Sequence, residues 1–340
     1  MNITCPHCKK RYSISDEGIK KIGERAVVPC PACKGNMRSS LDAAQAVDAQ
    51  PAPDVEEAAE DNSLKSRLQQ ALMDLPAMPQ AFDQARGLMV DAHARPADIE
   101  QLLEANPTVS ALVLRLAGMA MYGDAESKNP IQQIIVALDM KVLTEFVILA
   151  CASDLLAREL SGYGLNAGDL WRHSLGVAYC ARELATRMNP DLAEDAFLAG
   201  LFHDCGKLVL ESFVAEQRES LLSLVQEEKQ AFPDIERSIF GFDHPQIGAD
   251  VCLKWRLPKS LTVAIALHHN PSKLEHNPLA CVLHAADATA MMSGIGAGIE
   301  GALYRIDEKA MELLKVDDDR LGVLMVDAAG YVNRTMACFS

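Results

Sequence analysis

Residues 195–210 read DAFLAGLFHDCGKLVL, and this stretch carries the pattern on which the fold assignment rests. Its apolar residues up to Phe202 belong to one of a series of predicted helices, in which apolar side chains recur three and four residues apart. The helix runs into a His-Asp pair, His203 and Asp204, which Lys207 follows three residues later. Because His and Asp are ligand types for first-row divalent ions, the stretch combines a helical core with a candidate metal site.

The pattern around this stretch is helical almost without a break from Leu64 onward. In LKSRLQQALMDL, residues 64–75, the apolar residues follow the helical spacing, and Pro76 and Pro79 close that helix and open the next. Further helices are predicted over about 130–157, 169–189, 192–202, 212–230, 245–255, 258–269 and 277–292. Since no alternation of apolar and polar residues follows residue 40, the sequence predicts a mainly all-α core of helices packed on helices.

Composition and charge exclude several classes of protein. Hydrophobic residues make up 49% of the 340 residues and aromatic residues 5%, which suits Ala- and Leu-rich helices better than a β-sandwich. A net charge of −15 argues against a nucleic-acid partner for the chain as a whole, since phosphate contacts need a basic surface. The first 25 residues lack a secretory apolar segment, and charges interrupt the most apolar stretch, 134–157. We therefore expect a cytoplasmic protein without a membrane partner.

Charge also divides the chain into parts. Residues 1–40 hold eight Lys or Arg against three Asp or Glu, whereas residues 41–63 hold seven Asp or Glu and no Lys or Arg. The second segment is rich in Ala and Pro and lacks apolar periodicity, so burial cannot offset the entropy of ordering it. We predict a small β module over 1–40, a disordered acidic linker over 41–63, a helical domain over 64–290 and a C-terminal helical extension over 291–340.

The N-terminal module contains two Cys-x-x-Cys pairs, Cys5 with Cys8 and Cys30 with Cys33. Two such pairs can supply four thiolates to one tetrahedral Zn²⁺, and the residues between them leave room for a short β-hairpin. A module of this size has too little core to fold alone, so zinc would supply its folding energy. Residues 3–38 resemble the zinc ribbons of bacterial regulatory proteins, which implies an interaction module. The basic residues leave nucleic-acid binding by the ribbon as an open alternative.

A second group of candidate ligands lies in the helical core and consists of His and Asp residues. The set comprises His173, His203, Asp204, His244, His268, His269 and Asp287. Divalent ions held by such ligands activate water and neutralise phosphate charge, and two ions can clamp a phosphoester on its attacking and leaving oxygens. His93, His276 and His284 are expected to be ordinary hydrogen-bonded residues.

At this point the sequence resembles a known family. His173, His203-Asp204 and Asp287 match the H…HD…D signature of the HD superfamily of metal-dependent phosphohydrolases. The wider context over residues 64–290 resembles the HDOD branch of bacterial signalling domains, through DLPAMP (74–79), PADIEQLLEANPTVSALVLRLA (96–117) and LWRHSLGVAYCARELA (170–185). The resemblance implies one or two divalent transition ions, Fe or Mn, bound by the seven ligands above, with His269 acting either as a ligand or as a donor that orients one. It also implies catalytic roles for Asp204 and for Lys207, the latter near a substrate phosphate.

Departures from the family pattern bear on the choice between two functions. His268-His269-Asn270-Pro271 stands where the cyclic-dinucleotide phosphodiesterase branch has a Gly-Tyr-Pro motif, which argues against hydrolysis of cyclic-di-GMP. The HDOD branch commonly lacks several metal ligands, whereas this chain keeps the whole set. The sequence favours a regulatory, signal-transducing protein that binds a small ligand or a regulatory protein partner. The alternative is an active metal-dependent phosphohydrolase acting on a nucleotide or another phosphoester.

Two further motifs are expected to be structural. Residues 294–298, GIGAG, imitate a phosphate-binding loop, but they follow a helix rather than a strand, so we expect a turn. Cys205 lies inside the His-Asp-x-Gly motif without a visible activating feature, and we expect a packed thiol beside the metal.

Overall fold

The computed structural model divides the chain into two compact units, residues 1–60 and 61–340. It describes strands at 2–4, 11–13, 27–29 and 36–38, and the backbone of residues 55–121, 130–227, 230–273, 277–296, 298–299, 304, 307–315 and 318–339. Side chains are described within these ranges from residue 63 onward, except at 119–121, 227 and 318.

The first unit contains two antiparallel hairpins. Strand β1 (Asn2–Thr4) pairs with β2 (Arg11–Ser13), with Ile3 opposite Tyr12. Strand β3 (Val27–Pro29) pairs with β4 (Asn36–Arg38), with Val28 opposite Met37. These strands agree with the small β module that the sequence predicts. The four cysteines of the predicted zinc site, Cys5, Cys8, Cys30 and Cys33, lie outside the described residues.

Helix α1 begins earlier than the sequence predicts. It spans Val55–Asp74, so the last nine residues of the predicted linker, 55–63, are helical. The run Glu56-Glu57-Ala58-Ala59-Glu60 combines strong helix formers with acidic side chains near the positive end of the helix dipole. Local helix propensity therefore extends the helix where no apolar face requires it. The rest of the predicted linker, 41–54, lies outside the described residues.

The second unit is built from α-helices, which confirms the predicted fold class. After α1 the described helices are α2 (Gln80–Val90), α3 (Pro96–Ala105), α4 (Pro107–Met121), α5 (Pro130–Ala137), α6 (Met140–Leu156), α7 (Asp169–Met188), α8 (Ala193–Phe202), α9 (Lys207–Glu216), α10 (Arg218–Glu227), α11 (Phe232–Phe240), α12 (His244–Lys254), α13 (Lys259–Leu267), α14 (Pro278–Met292), α15 (Glu308–Leu314) and α16 (Asp318–Met336). None of them combines the length and the apolar composition that crossing a bilayer needs.

Two predicted helices are divided in the structure. The stretch 130–157 is interrupted at Asp139, whose Oδ1 accepts the backbone N–H of Lys141 at 2.8 Å and caps α6. The stretch 212–230 is replaced by α9, which begins at Lys207, and by α10, with Gln217 between them. Capping and chain reversal, which hydrophobic periodicity does not detect, set these boundaries.

Helices α7 and α8 cross at the centre of the core. A Cβ on Gly200 would lie 2.6 Å from the Cα of Ala178, so glycine is required where the two backbones meet. Helix α14 also packs on α7, and a Cβ on Gly176 would lie 3.6 Å from Cβ of Ala290 in α14. The C-terminal helix α16 also packs on α7, where the rings of Tyr179 and Tyr331 stack 5.0 Å apart. This packing fixes the helix ends from which the candidate ligands project.

Candidate metal centre

Five helices bring the predicted ligands of the second unit together. His173 lies in the second turn of α7, and His203 and Asp204 directly follow α8. His244 is the first residue of α12, His268 and His269 follow α13, and Asp287 lies within α14. The structure therefore places all seven residues at one point of the core, where helix ends from different parts of the chain converge.

One half of the cluster consists of His173, His203, Asp204 and Asp287. Nε2 of His173 lies 3.0 Å from Oδ1 of Asp287 and 3.9 Å from Oδ2 of Asp204. Nε2 of His203 lies 3.3 Å from Oδ2 of Asp204 and 3.8 Å from Oδ1 of Asp287. Two imidazoles and two carboxylates thus face a common centre, a donor set that suits a first-row divalent ion.

The other half consists of His244, His268 and His269, with the same Asp204. Oδ1 of Asp204 lies 3.4 Å from Nε2 of His244 and 3.9 Å from Nε2 of His268. Nε2 of His269 lies 3.0 Å from Nε2 of His244. One possible ligand atom from each of these three His residues falls within 4.8 Å of the others. Asp204 therefore stands between the two halves, with Oδ2 turned to the first and Oδ1 to the second.

Backbone contacts fix the orientation of three of the rings. Nδ1 of His173 contacts the carbonyl oxygen of Ile295 at 2.8 Å, and Nδ1 of His203 contacts that of Gly200 at 2.8 Å. Nδ1 of His268 contacts the carbonyl oxygen of Ile265 at 2.7 Å. Because a carbonyl oxygen only accepts, Nδ1 carries a hydrogen, and Nε2 is the ring nitrogen left to bind a metal ion. This is the arrangement in which histidines bind metal ions.

Several polar atoms at the centre lack the partners that burial demands. Nε2 of His203 and of His268, and Oδ1 of Asp204 and of Asp287, are buried and form no hydrogen bond with the described residues. A buried polar group left in this state costs about 1–3 kcal/mol. Cations bound between the ring nitrogens and the carboxylates would satisfy all four atoms at once. The residues present therefore fit metal ions.

The electrostatics of the cluster favour cations as well. Burial raises the pKa of Asp204, but His203 and Lys207 outweigh it and hold that pKa well below its usual range. Burial lowers the pKa of His203, yet Asp204 and Asp287 raise it to about 9. Burial, with His203 and His244, lowers the pKa of His268 to about 3. The carboxylates thus stay charged and His268 stays neutral, whereas a metal ion must displace a proton from His203.

Lys207 lies inside the same cluster. Its side chain is 1% exposed, and its Nζ lies 2.6 Å from Oδ2 of Asp204, the oxygen that faces the first half. Its ammonium also lies over the ring of Tyr163, 5.7 Å from the ring centre. The predicted phosphate-binding lysine is therefore paired with a candidate metal ligand in this structure.

Sequence reasoning missed Glu236 and Tyr163. Glu236 contacts the ring nitrogen of His244 that faces away from Asp204, and Tyr163 donates to Glu236. Glu236 is fully buried and contacts His244 and Tyr163. The overlooked signal is its place on α11, where it shares the buried face with Phe232, Ile235 and Phe240. A carboxylate on the apolar face of an amphipathic helix indicates a partner in the core.

The motifs expected to be structural support the cluster. Gly296 has a φ of +69°, and a Cβ there would lie 2.7 Å from Cβ of His173, so only glycine lets Ile295 reach Nδ1 of that histidine. Cys205 is buried, its pKa is raised by burial, and its Sγ donates to the carbonyl oxygen of Gly248 at 3.6 Å, which confirms a packed thiol.

Of the three histidines expected to be ordinary hydrogen-bonded residues, the structure describes two. Nδ1 of His284 contacts the carbonyl oxygen of His268 at 2.7 Å, and its Nε2 accepts the backbone N–H of Asp307 at 2.8 Å. His284 is therefore a hydrogen-bonded core residue, as expected. His93 is exposed, and His276 lies outside the described residues.

Solved structures of other proteins share this fold. An HDOD domain protein of unknown function from Geobacter sulfurreducens is 24% identical, with a TM-score of 0.59 over 81% of this chain and 90% of that one. A proposed phosphohydrolase from Shewanella amazonensis is 23% identical, with a TM-score of 0.62 over 81% and 98%. A proposed signal transduction protein from Marinobacter aquaeolei is 20% identical, with a TM-score of 0.61 over 82% and 65%. At these identities the likeness concerns the fold alone.

Comparisons of sequence give the family. An uncharacterized protein of Treponema pallidum (strain Nichols) is 23% identical to this chain over 222 residues. The matched residues make up 64% of this chain and 42% of that protein. The chain thus spans less than half the length of this curated relative. The HDOD domain model matches residues 75–271, more than half of the chain. The chain belongs to the HDOD domain family.

Proposed function

We propose that this HDOD domain is a regulatory module whose core binds two divalent transition ions that share Asp204. The observation that carries the proposal is the set of inward-facing Nε2 atoms and carboxylate oxygens that are buried without hydrogen bonds. His173, His203, Asp204 and Asp287 would hold one ion, and His244, His268, His269 and Asp204 the other. Imidazole and carboxylate ligands together suit Fe or Mn.

The burial of the cluster favours regulation over turnover. Catalytic metal sites keep an open position for water or substrate. Here six of the seven ligand residues are at most 2% exposed, and only His269 is partly exposed. Ions in this place would tie together α7, α8, α12, α13 and α14, so metal binding would stabilise the packing of five helices. A small ligand or a regulatory protein partner would then bind the metal-bound and the metal-free domain with different affinities.

Phosphoester hydrolysis is the second candidate function, and Lys207 is the observation that favours it. Bound ions would supply an activated water and would neutralise phosphate charge. Nζ of Lys207 already lies against the metal-facing oxygen of Asp204, where its positive charge would also face a phosphate. His269 is the one ligand residue with partial exposure, and it marks the side from which a substrate would approach. The fold likeness to a proposed phosphohydrolase from Shewanella amazonensis is in keeping with this candidate.

For the N-terminal unit we propose a zinc ribbon that acts as an interaction module. Cys5 and Cys8 stand in the chain between paired strands β1 and β2, and Cys30 and Cys33 between paired strands β3 and β4. Four Cys thiolates from two such pairs can complete the tetrahedral shell of one structural Zn²⁺. Replacing Cys5 and Cys30 together by Ser should remove one equivalent of zinc from the purified chain. Unchanged zinc content would rule out the ribbon.

Elemental analysis of the full chain, purified without oxygen and without chelator, tests the proposal for the core. We expect two equivalents of Fe or Mn in addition to the zinc of the ribbon, and their loss in Asp204→Asn. A matched control is Asp195→Asn, since that carboxylate contacts only the hydroxyl of Ser260 among the hydrogen bonds observed. Retention of both ions in Asp204→Asn would contradict the shared-ligand arrangement, and loss in the control would show a general defect.

A further inference from the structure

Glu236 is a buried carboxylate of the core, and both of its oxygens have partners. It is 0% exposed, and its Oε2 accepts the backbone N–H of His244 at 2.9 Å and contacts Nδ1 of the same residue at 2.6 Å. Its Oε1 accepts the hydroxyl of Tyr163 at 2.7 Å. These three contacts compensate the buried charge and direct Nε2 of His244 toward Asp204.

His244 differs in this respect from three other ring ligands. His173, His203 and His268 direct Nδ1 at neutral backbone carbonyls, whereas His244 directs it at a carboxylate. A hydrogen bond to an ionised acceptor is about twice as strong as one between neutral groups. It also makes the opposite ring nitrogen a better metal ligand. The two halves of the cluster are therefore chemically unequal.

The charges of the cluster also make the two halves unequal. Asp204 and Asp287 bring two negative charges, and Lys207 brings one positive charge against Asp204. Two divalent ions would add four positive charges in a space from which water is nearly excluded. Glu236 supplies a further negative charge, and its contact with His244 places that charge behind the half formed by His244, His268 and His269.

Tyr163 in turn is held in a defined place. It lies in a loop that an antiparallel bridge between Leu160 and Leu165 closes. The backbone N–H of Ile299 donates to the carbonyl oxygen of Tyr163 at 3.1 Å. Its ring is 1% exposed and lies 6.0 Å from the ring of Phe232. The hydroxyl thus fixes the carboxylate of Glu236 in one orientation.

We infer that Glu236 is a positioning residue that sets the affinity of one of the two ions, the one bound by His244, His268 and His269. The inference rests on the proposed metal-binding function. Glu236 touches neither ion in this arrangement and acts through His244 alone.

The substitution Glu236→Gln isolates the charge, because the amide oxygen still accepts from His244 and the amide nitrogen can donate to the oxygen of Tyr163. Co²⁺ is the probe, added to the metal-free full chain in competition with a chelator and followed by its visible absorption. Wild type should bind two Co²⁺ in the core. In Glu236→Gln one ion should bind about 10–100-fold more weakly, with a changed absorption spectrum for that ion, while the other keeps its affinity.

Glu145→Gln is the control for loss of a carboxylate that accepts from a tyrosine hydroxyl, although Glu145 is only partly buried. Oε1 of Glu145 accepts the hydroxyl of Tyr331 at 2.8 Å, as Glu236 does from Tyr163, but its partners are Arg182 and Tyr331 instead of a candidate ligand. Both Co²⁺ affinities and spectra should be unchanged in Glu145→Gln, even where its thermal stability falls.

The outcomes separate the inference from the proposed function. If wild type binds two ions and Glu236→Gln binds both with unchanged affinity and spectrum, the inference is wrong and the metal centre stands. An equal loss of affinity for both ions in Glu236→Gln and in Glu145→Gln also overturns it, since Glu236 would then be merely structural. A wild-type core that binds no Co²⁺ overturns the proposed function itself.

Discussion

Gly206 links the packing of the fold to the geometry of the metal centre. Its φ of −62° is one that any residue adopts, so glycine is required there for steric reasons alone. A Cβ at this position would lie 2.1 Å from the carbonyl oxygen of His244 and 2.6 Å from the backbone nitrogen of Gly248. Both atoms belong to the backbone at the start of α12, so no side-chain rotation can relieve the overlap.

The magnitude of the Gly206→Ala effect follows from these distances. Restoring ordinary contact requires α12 to move by on the order of 1 Å, and overpacking of this kind costs about 1–3 kcal/mol, with the upper end expected for rigid backbone atoms. Nε2 of His244 moves with its helix away from Asp204, which lies 3.4 Å from it in the native structure. The ion bound by His244 should therefore be weakened by about 10–100-fold, the range seen when ligand support is disturbed.

Urea unfolding and metal titration of Gly206→Ala measure the two effects. The control is Gly87→Ala, because Gly87 lies within α2 and a Cβ there meets nothing within 4 Å. The control should gain about 0.5–1 kcal/mol of stability and keep its metal affinity. A Gly206→Ala protein as stable as wild type, with unchanged metal affinity, would refute the steric argument.

Three further predictions concern pH, metal and the C-terminal helix. Apparent metal affinity should rise by about tenfold per pH unit between pH 6 and 8, because the raised pKa of His203, about 9, means that binding releases its proton. Competitive titration measures this rise, and a flat profile would contradict the argument. Adding Mn²⁺ to 100 times its Kd should stabilise the chain by about 2.7 kcal/mol for each ion bound in thermal unfolding, and Asp204→Asn should abolish the gain. Tyr331→Phe removes the hydroxyl that donates to Glu145 and should lower the free energy of unfolding by about 1 kcal/mol, without changing metal content; altered metal content would show that α16 influences the site.

Much of the site could be predicted from sequence because its ligands are chemically distinctive. His203-Asp204 and the histidines at 173, 244, 268 and 269 stand out in apolar helices, and the structure brings them all together with Asp287. What the sequence could not show is that Asp204 lies between two groups of histidines, because that depends on how the ends of α8, α12 and α13 meet. Spacing along the chain carries no information on this convergence.

The contacts that orient the histidine rings could not be predicted from sequence, for a different reason. The carbonyl oxygens of Ile295, Gly200 and Ile265 orient the histidines, and any residue type can supply a backbone carbonyl. Glu236 did leave a signal, since it shares the apolar face of α11. Its partner Tyr163, however, comes from a loop 73 residues earlier in the chain.

The predicted helix boundaries were wrong where capping or helix propensity outweighs the periodicity of apolar residues. Asp139 caps α6 and divides a stretch that reads as one helix. The Glu- and Ala-rich residues before Asp61 extend α1 without an apolar face, so a pattern based on burial assigns them to a linker. Both differences arise from backbone hydrogen bonding and propensity, which contribute little to the pattern of apolar residues.

The most direct test of the central claim is an anomalous difference map from crystals of the full chain loaded with Mn²⁺ and measured at a wavelength where manganese scatters anomalously. The account predicts two peaks in the core, one on each side of the Asp204 carboxylate, the first among His173, His203 and Asp287 and the second among His244, His268 and His269. A map without peaks at these residues, or with a single peak that Asp204 does not contact, would contradict it.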